Sequence, residues 1–400
     1  MKKLIVLLLI TFIFSNLLHA QWTAQSSGTS AYLGQVLFPS SDTGYIYGEN
    51  AFLKTTNGGI NWNVLGSSAI SVLGNIFFTS NDIGFWNRVD TLLKTTDGAN
   101  TWQPVLQVDQ MSFFTYFINP DTGFTIGINI FSMDSIFVYK TTNNGSTWSF
   151  VHSDPIPVST YISKVYFENS NIGFITLVDG AIIRTFDGGN SWTTVYNSPT
   201  YDLVADIQFP TPSIGYAVGF KILKTTDGGL TWTEHTTPIA SNFKSCYFTS
   251  ADTGFIVGGN GFNSGSIIKT NDGGINWTLS LTSNQSFYSV YFPAKGTGYT
   301  VGGNGMIKKY INNAATSNNL EFTNNNFNFY PNPVINELVI ESNNYNENNK
   351  FEILNSIGLV IYKGTIKEKT VVNTTNLALG VYFIKLKNGN SNEYEKFVKE

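Results

Sequence analysis

The stretch that decides the fold is Lys54-Thr55-Thr56-Asn57-Gly58-Gly59-Ile60-Asn61-Trp62. Five further copies of this box occur later in the chain: KTTDGANTW from residue 94, KTTNNGSTW from 140, RTFDGGNSW from 184, KTTDGGLTW from 224 and KTNDGGINW from 269. The box tryptophans are 40 to 46 residues apart, which is the length of one propeller blade. This period predicts a radial repeat protein.

A second phrase recurs seven times and consists of an apolar strand, a polar turn and Gly followed by an aromatic residue. Its glycines are Gly44, Gly84, Gly123, Gly173, Gly215, Gly254 and Gly298. Each repeat contains four short apolar stretches separated by turn residues, a pattern typical of β-strands. The strands predicted in the first repeat are Val36–Phe38, Tyr45–Gly48, Phe52–Thr55 and Trp62–Leu65. We therefore expect an all-β, seven-bladed β-propeller over residues 21–312.

The seventh repeat has a strand at Met306–Tyr310, but no box Asp, Gly and Trp come after it. The segment Gln21-Trp22-Thr23-Ala24 matches the strand that comes after each of the other boxes. We expect this first strand to complete the last blade and to close the ring.

The boxes resemble the Asp-box (BNR) repeat, whose pattern is Ser/Thr-x-Asp-x-Gly-x-Thr-Trp, and the closest resemblance is to propellers similar to photosystem II assembly factors. Turn Asp and Asn side chains bond their own backbone, glycine permits a positive φ, and Trp fills the space between blades. A structural role is expected for Asn57, Gly59, Trp62, Asp97, Trp102, Asn143, Trp148, Asp187, Trp192, Asp227, Trp232, Asp272 and Trp277. Ala99 replaces the glycine in the second copy.

An enzyme is not expected, although Asp-box propellers include sialidases. A sialidase clamps its substrate carboxylate with three arginines, whereas this chain has only Arg88 and Arg184. Other glycosidases need two facing carboxylates, and the sequence singles out no such pair. The box Asp residues could be read as metal ligands, but each lies in its own turn. We expect no metal and no cofactor.

Residues 1–20 have the pattern of a secretory signal peptide, with Lys2 and Lys3 before an apolar run and cleavage between Ala20 and Gln21. No other stretch has the roughly 20 apolar residues of a membrane helix. The mature chain is therefore expected to lack a membrane span.

Residues 313–326 form an Asn-rich linker, and residues 327–400 have the alternation of a small antiparallel β-sandwich. This last segment resembles the type A sorting domain of the type IX secretion system. The motif residues are Pro331, Asn332, Pro333, Gly380, Tyr382 and Lys399. The resemblance implies the type IX machinery as a partner and a secreted or cell-surface protein from which the domain is usually removed.

The four-strand order places two sets of loops on one face of the disc. A patch on that face is the hypothetical binding site: Trp86, Arg88, Asp90, Phe131 and Asp134. The alternative is that these are ordinary loop residues. The segments beginning at Asp90 and Asp134 also resemble short O-glycosylation signals.

The expected function is non-catalytic binding of a glycan or a protein by a monomer. A polysaccharide-degrading glycosidase and an envelope assembly factor are the alternatives. The formal charge of −4 leaves no basic stripe for nucleic acid.

Overall fold

The structure is a computed structural model that describes residues 21–66, 75–88, 90–108, 111–129, 135–155, 160–239, 241–261, 264–312, 327–342, 350–355, 360–366, 369–388 and 391–399. Every regular element among these residues is a β-strand. The described residues form two compact units, which divide between residues 317 and 318.

Seven four-stranded antiparallel sheets make up the first unit, and each is one blade. In order from the central axis outward, the strands are β2 Leu33–Leu37, β3 Gly44–Gly48, β4 Ala51–Thr55 and β5 Asn63–Gly66 in blade 1; β6 Ile76–Phe78, β7 Gly84–Arg88, β8 Thr91–Thr95 and β9 Gln103–Gln107 in blade 2; β10 Met111–Phe117, β11 Gly123–Asn129, β12 Ser135–Thr141 and β13 Ser149–Pro155 in blade 3; and β14 Ile162–Phe167, β15 Gly173–Leu177, β16 Ala181–Thr185 and β17 Thr193–Asn197 in blade 4.

The remaining strands are β18 Val204–Gln208, β19 Gly215–Gly219, β20 Ile222–Thr225 and β21 Thr233–His235 in blade 5; β22 Phe243–Phe248, β23 Gly254–Gly258, β24 Gly265–Thr270 and β25 Thr278–Ser283 in blade 6; and β26 Phe287–Ala294, β27 Thr297–Gly302, β28 Ile307–Ile311 and β1 Gln21–Gln25 in blade 7. First strands of neighbouring blades contact one another, and β2 contacts β26. The predicted seven-bladed propeller is confirmed.

The N-terminal strand closes the ring. β1 pairs antiparallel with β28, so that Trp22 lies opposite Tyr310. Blade 7 therefore combines three strands from the end of the propeller with one from its beginning, and the two ends of the ring cannot separate without breaking this ladder.

Blades are joined by a repeated aromatic cluster, which we call the interblade joint. It consists of the Phe at the end of each innermost strand, the aromatic residue at the start of the second strand of the preceding blade, and the box Trp. Between blades 5 and 6, Tyr216 stacks on Phe248 at 3.7 Å between ring centroids, and Trp277 meets Phe248 edge-on at 6.1 Å. Trp22 meets Phe292 edge-on in the same way in blade 7.

The Phe of each joint also lies over the glycine that comes after the first turn of its own blade. A Cβ at Gly215 would lie 2.5 Å from the Phe209 ring, and the equivalent glycines of the other six blades have the same contact. Gly215 does not have a positive φ. A glycine is therefore needed here because a Cβ would collide with the Phe ring, and not because the backbone conformation requires one.

The Gly215→Ala substitution is expected to lower the free energy of unfolding by about 1–3 kcal/mol, because the added methyl group overpacks the joint. The cost should be smaller when Phe209 is already Ala, since the ring that the methyl meets is gone. Urea unfolding of the four members of this double-mutant cycle measures both costs. Equal costs in the two backgrounds would show that the ring does not require the glycine.

The second unit is a two-sheet sandwich, as predicted. One sheet has the order β29 Phe327–Tyr330, β30 Glu337–Ser342 and β33 Lys369–Asn373, and the other has the order β32 Val360–Thr365, β31 Lys350–Leu354, β34 Gly380–Asn388 and β35 Ser391–Lys399. Residues from both sheets form a buried core that includes Ile340, Phe351 and Phe397.

The residues of the predicted sorting motifs lie together in this unit. Asn332 Oδ1 accepts a hydrogen bond from the Val398 N–H at 2.9 Å, and Val334 N–H donates to the Val398 carbonyl at 2.7 Å. The peptide bonds before Pro331 and Pro333 are cis. Tyr382 stacks on Phe397 at 5.5 Å. The Pro-Asn-Pro segment is therefore bonded to the C-terminal strand.

Candidate ligand-binding face and channel

The propeller has two faces that differ in their construction. On one face, the first turn of a blade bonds its box turn, as in the 2.8 Å hydrogen bond from Gly58 N–H to the Asp42 carbonyl. We call this the box face. The turns between second and third strands and the connections between blades lie on the opposite face, where Glu49 N–H donates to the Tyr32 carbonyl at 2.9 Å. We call this the loop face.

The polar side chains of each box bond within their own turn. Asn57 Oδ1 accepts from the Thr55 hydroxyl at 2.9 Å and from Asn61 N–H at 3.0 Å, while Thr55 Oγ1 accepts from Gly59 N–H at 2.9 Å. The same Thr-to-Asp or Thr-to-Asn bond recurs in the other five boxes. Ala99 has φ 73°, close to the 71° of Gly59. The turn therefore keeps its left-handed residue even where glycine is lost.

In three boxes the opening Lys donates a hydrogen bond to a backbone carbonyl in the box of the next blade. Lys54 Nζ donates to the Gly98 carbonyl at 2.9 Å, and Lys224 Nζ donates to the Gly273 carbonyl at 2.6 Å. Lys309 of blade 7 reaches the Gly58 carbonyl of blade 1 at 2.8 Å. The sequence reasoning missed this contact between blades, although the recurring basic residue was visible. The box face is thus a ring of structural bonds.

Box carboxylates accept several hydrogen bonds, which lower their pKa values. The Thr101 hydroxyl and N–H and the Thr95 hydroxyl lower the pKa of Asp97 to about 2. The Thr231 hydroxyl and N–H lower the pKa of Asp227 in the same way. For Asp187, desolvation acts to raise the pKa, but the bonds from Ser191 and Thr185 together outweigh it and lower the pKa. The pKa of Asp272 is lowered by the N–H and side chain of Asn276.

These pKa values predict how acid affects stability. An unfolded Asp has a pKa near 3.9, so the box carboxylates stabilise the fold above about pH 4, and their contribution is lost as the pH falls toward about 2. Replacing Asp97, Asp187, Asp227 and Asp272 with Asn should therefore reduce the fall in melting temperature between pH 5 and pH 2. Asp121→Asn, in an exposed turn, is the control. An unchanged fall in the quadruple variant would contradict the assignment.

The innermost strands line a central cavity of about 660 Å³. A belt of side-chain bonds crosses between them at one level of this channel. Asp206 Oδ2 accepts from Cys246 N–H at 3.0 Å and from the Ser245 hydroxyl at 2.9 Å, and Asp206 Oδ1 pairs with Lys164 at 3.1 Å. Three blades are joined at this point.

The belt continues around the ring. The Ser289 hydroxyl accepts from the Val36 N–H at 3.2 Å, and Gln35 Oε1 accepts from the Ile76 N–H at 3.0 Å. Innermost strands are not paired as a sheet, so these side chains take up backbone groups that would otherwise be unpaired. The buried Cys246 is held within this belt, where desolvation raises its pKa well above the usual range.

An aromatic layer lies nearer the box face. Tyr116 is 5.3 Å from Tyr166, and Tyr247 is 5.1 Å from Tyr291, measured between ring centroids. Desolvation, with the charge of Glu168 added, raises the pKa of Tyr166 to about 12. The Tyr166 hydroxyl therefore stays protonated and cannot act as a base near neutral pH.

The loop face carries a group of exposed apolar side chains over blades 4 and 5, which we call the apolar rim: Tyr161, Val178, Tyr201 and Phe220. Their exposed fractions are 50%, 43%, 70% and 53%. Tyr161 and Tyr201 lie just before the innermost strands β14 and β18. Tyr161 and Tyr201 therefore lie on the loop-face connections that lead into channel-lining strands. Neighbouring loops are linked by the 2.9 Å hydrogen bond from Val178 N–H to the Tyr161 carbonyl.

Tyr201 has φ 56°, a conformation that L-residues with large side chains rarely adopt. Asp202 N–H donates to the Ser198 hydroxyl at 3.0 Å and fixes this turn. Lys221 pairs with Asp202 at 3.4 Å and with Glu234 at 2.8 Å, which ties the Phe220 loop to the same region. Strained backbone of this kind is frequent at functional sites, which makes this turn a candidate.

Three residues of the binding patch proposed from sequence, Trp86, Arg88 and Asp90, belong to blade 2. Trp86 is half-buried in the joint beside blade 1, 6.2 Å from Tyr47 and 5.7 Å from Trp102. The exposed Arg88 lies over the Trp86 ring at 5.3 Å. Asp90 occupies a turn at φ 66°. The structure thus brings Trp86 and Arg88 together. Much of the Trp86 ring packs against Tyr47 and Trp102.

Phe131, Asp134 and Ala20 lie outside the described residues, and Gln21 begins β1.

The sequence reasoning missed the apolar rim, whose members are scattered over four loops. A positional signal for the channel belt was present. Polar residues stand three positions before the recurring Phe of the innermost strand in six repeats: Gln35, Asn75, Lys164, Asp206, Ser245 and Ser289.

Comparison with known proteins supports both units. Residues 328–400 match the secretion system C-terminal sorting domain. The chain is similar to the structure of YCF48 bound to D1 peptide, with 18% identity and a TM-score of 0.58 over 72% of this chain and 96% of that one. YCF48 from Cyanidioschyzon merolae gives the same identity and TM-score over 72% and 98%.

The chain is also similar to the GH74 xyloglucanase from Xanthomonas campestris, with 12% identity and a TM-score of 0.55 over 72% of this chain and 53% of that one. No curated protein matches in sequence. At these identities the structural matches establish the propeller fold. The sorting domain places the protein at the cell surface or outside the cell.

Within the part of the chain that the structure describes, no helix is long and apolar enough to cross a membrane. The same residues contain no cluster of three or more His, Cys, Asp or Glu side chains that would suit a metal ion.

Proposed function

We propose that the protein is a secreted, non-catalytic binding propeller whose loop face takes up a polypeptide at the apolar rim. The observation that carries this proposal is the exposure of Tyr161, Val178, Tyr201 and Phe220 on the loop face of the neighbouring blades 4 and 5. Exposed apolar side chains grouped on neighbouring loops mark interaction sites, whereas single ones need no explanation. On the box face the exposed Ile60, Leu230 and Ile275 recur at the same position of separate box turns, one in each blade.

A polypeptide fits this surface better than a glycan. The rim combines aromatic rings with the aliphatic Val178, and such mixed apolar surfaces bury side chains of a partner protein. The structure of YCF48 bound to D1 peptide supports peptide binding on this type of propeller. Glycan binding at Trp86 and Arg88 is the competing proposal, and the same experiment tests it.

The carboxylates that line the channel favour binding without catalysis. Its lining carboxylates among the described residues are Asp206 and Glu49. Asp206 is held by Lys164, Ser245 and Cys246, and Glu49 is exposed at the mouth on blade 1. A glycosidase needs two carboxyl groups free to act as acid and as base or nucleophile. The bonded Asp206 is poorly suited to either role.

The test is selection of peptides from a random displayed library on the mature chain, together with a glycan array in which released reducing sugar is also measured. We expect peptides to be enriched by the native chain and lost by the Tyr201→Ser, Phe220→Ser double variant. The matched control is Ile60→Ser, Ile275→Ser, whose residues are 70% and 73% exposed in turns of the box face.

Equal peptide retention by the rim variant and the native chain would overturn the proposal. Glycan retention lost by Trp86→Ala, Arg88→Ala would favour the blade 2 patch instead. Release of sugar would show that the protein is a glycosidase.

A further inference from the structure

Lys244 stands at an irregular position of the channel wall. Its strand, β22, pairs with β23 through a register shift between Phe243 and Ser245, so Lys244 is the extra residue of a β-bulge. Bulges redirect side chains, and Lys244 lines the channel. The bulge places one ammonium group above the hydrogen-bonded belt, toward the loop face.

The two lysines of the channel have different electrostatic surroundings. Burial disfavours the charge of Lys164, but the Asp206 carboxylate at 3.1 Å outweighs this effect and raises its pKa. Burial also acts on Lys244, where no described carboxylate offsets it, and the pKa is lowered. Among the described channel residues, Lys244 is therefore the cation that lacks a counter-ion.

The same level of the channel has space beside Lys244. Register shifts put Gly34, Ser163 and Ala205 at the corresponding positions of blades 1, 4 and 5. Ser163 and Ala205 are small and leave the cavity open beside blades 4 and 5, whereas the Tyr32 ring packs over Gly34. On the other side, in blade 7, the equivalent residue is Tyr288, which packs against Tyr32 with 4.4 Å between ring centroids.

We infer that Lys244 binds a carboxylate group of the polypeptide ligand, with the Tyr32–Tyr288 pair beside it as an apolar wall. This inference rests on the proposed function and specifies the chemistry of its ligand. The carboxylate is either an acidic side chain or the end of a chain.

The geometry favours one carboxylate over a more highly charged group. A single ammonium faces the cavity without a described counter-ion, and the belt below it is occupied by the Lys164–Asp206 pair. Glu49 lies at the mouth on blade 1, near Tyr32, whose pKa is raised to about 12 by desolvation, by Tyr288 and by Glu49. The Glu49 carboxylate would repel a multiply charged anion in the cavity. A single carboxylate bound to Lys244, on the blade 6 side, would be repelled less.

The test uses N-acetyltyrosine and its amide as probes of the mature chain, with the lysine side chains labelled for NMR. N-acetyltyrosine should shift the Lys244 signal in a saturable manner and raise its pKa, while the amide should bind at least tenfold more weakly. Lys244→Met should abolish the preference for the acid. Lys295→Met, at an exposed position of the box face, should retain it.

N-acetylaspartate amide and a C-terminal Ala dipeptide then distinguish a side-chain carboxylate from a chain end. Equal binding of acid and amide, or an acid preference retained by Lys244→Met, would overturn the inference. Failure of the proposed function is separate, because the peptide selection on the apolar rim does not use these probes. If the probes bind at Lys244 but no peptide is selected, the proposed function fails and the carboxylate site remains. If Lys244→Met selects peptides with the same affinity as the native chain, the inference about Lys244 fails.

Discussion

The ring depends on the stacking of one Phe per blade against the aromatic residue of the blade before it. At all seven interfaces the two rings lie within 4.6 Å, from Tyr216 and Phe248 at 3.7 Å to Phe174 and Phe209 at 4.6 Å. The box Trp then closes each joint edge-on, and a glycine beneath each Phe permits the approach. Because every blade uses the same joint, the rotation from blade to blade is regular and the seventh blade meets the first.

In the proposed function the two faces have different roles. The box face is occupied by turn bonds and by lysines that reach the next blade, so the box Thr, Asp and Asn side chains are already bonded within their own turns. On the loop face the described loops differ from blade to blade. Loops on a rigid scaffold are free to carry binding residues, and here they present the apolar rim on blades 4 and 5. The sorting domain then explains how such a face reaches partners outside the cell.

Periodicity made most of the fold predictable. The first repeat was expected at Val36–Phe38 and Tyr45–Gly48, and the strands occur at Leu33–Leu37 and Gly44–Gly48. Closure of the ring by the strand of Trp22 was also predicted, because the seventh repeat lacks its fourth strand and the N-terminal segment matches that strand in the other repeats. The rim was not predictable, since exposure of Tyr201 depends on a local turn and its neighbours are distant in sequence. The bulge that places Lys244 in the channel wall leaves no signal in the pattern of apolar residues.

The most direct test of the division between faces is photo-cross-linking in cells that secrete the full chain. A photoreactive amino acid is placed at position 220 on the loop face or at position 275 on the box face, and the adducts are identified by mass spectrometry. The account predicts polypeptide adducts from position 220 and none from position 275. Adducts from position 275, or none from position 220, would contradict it.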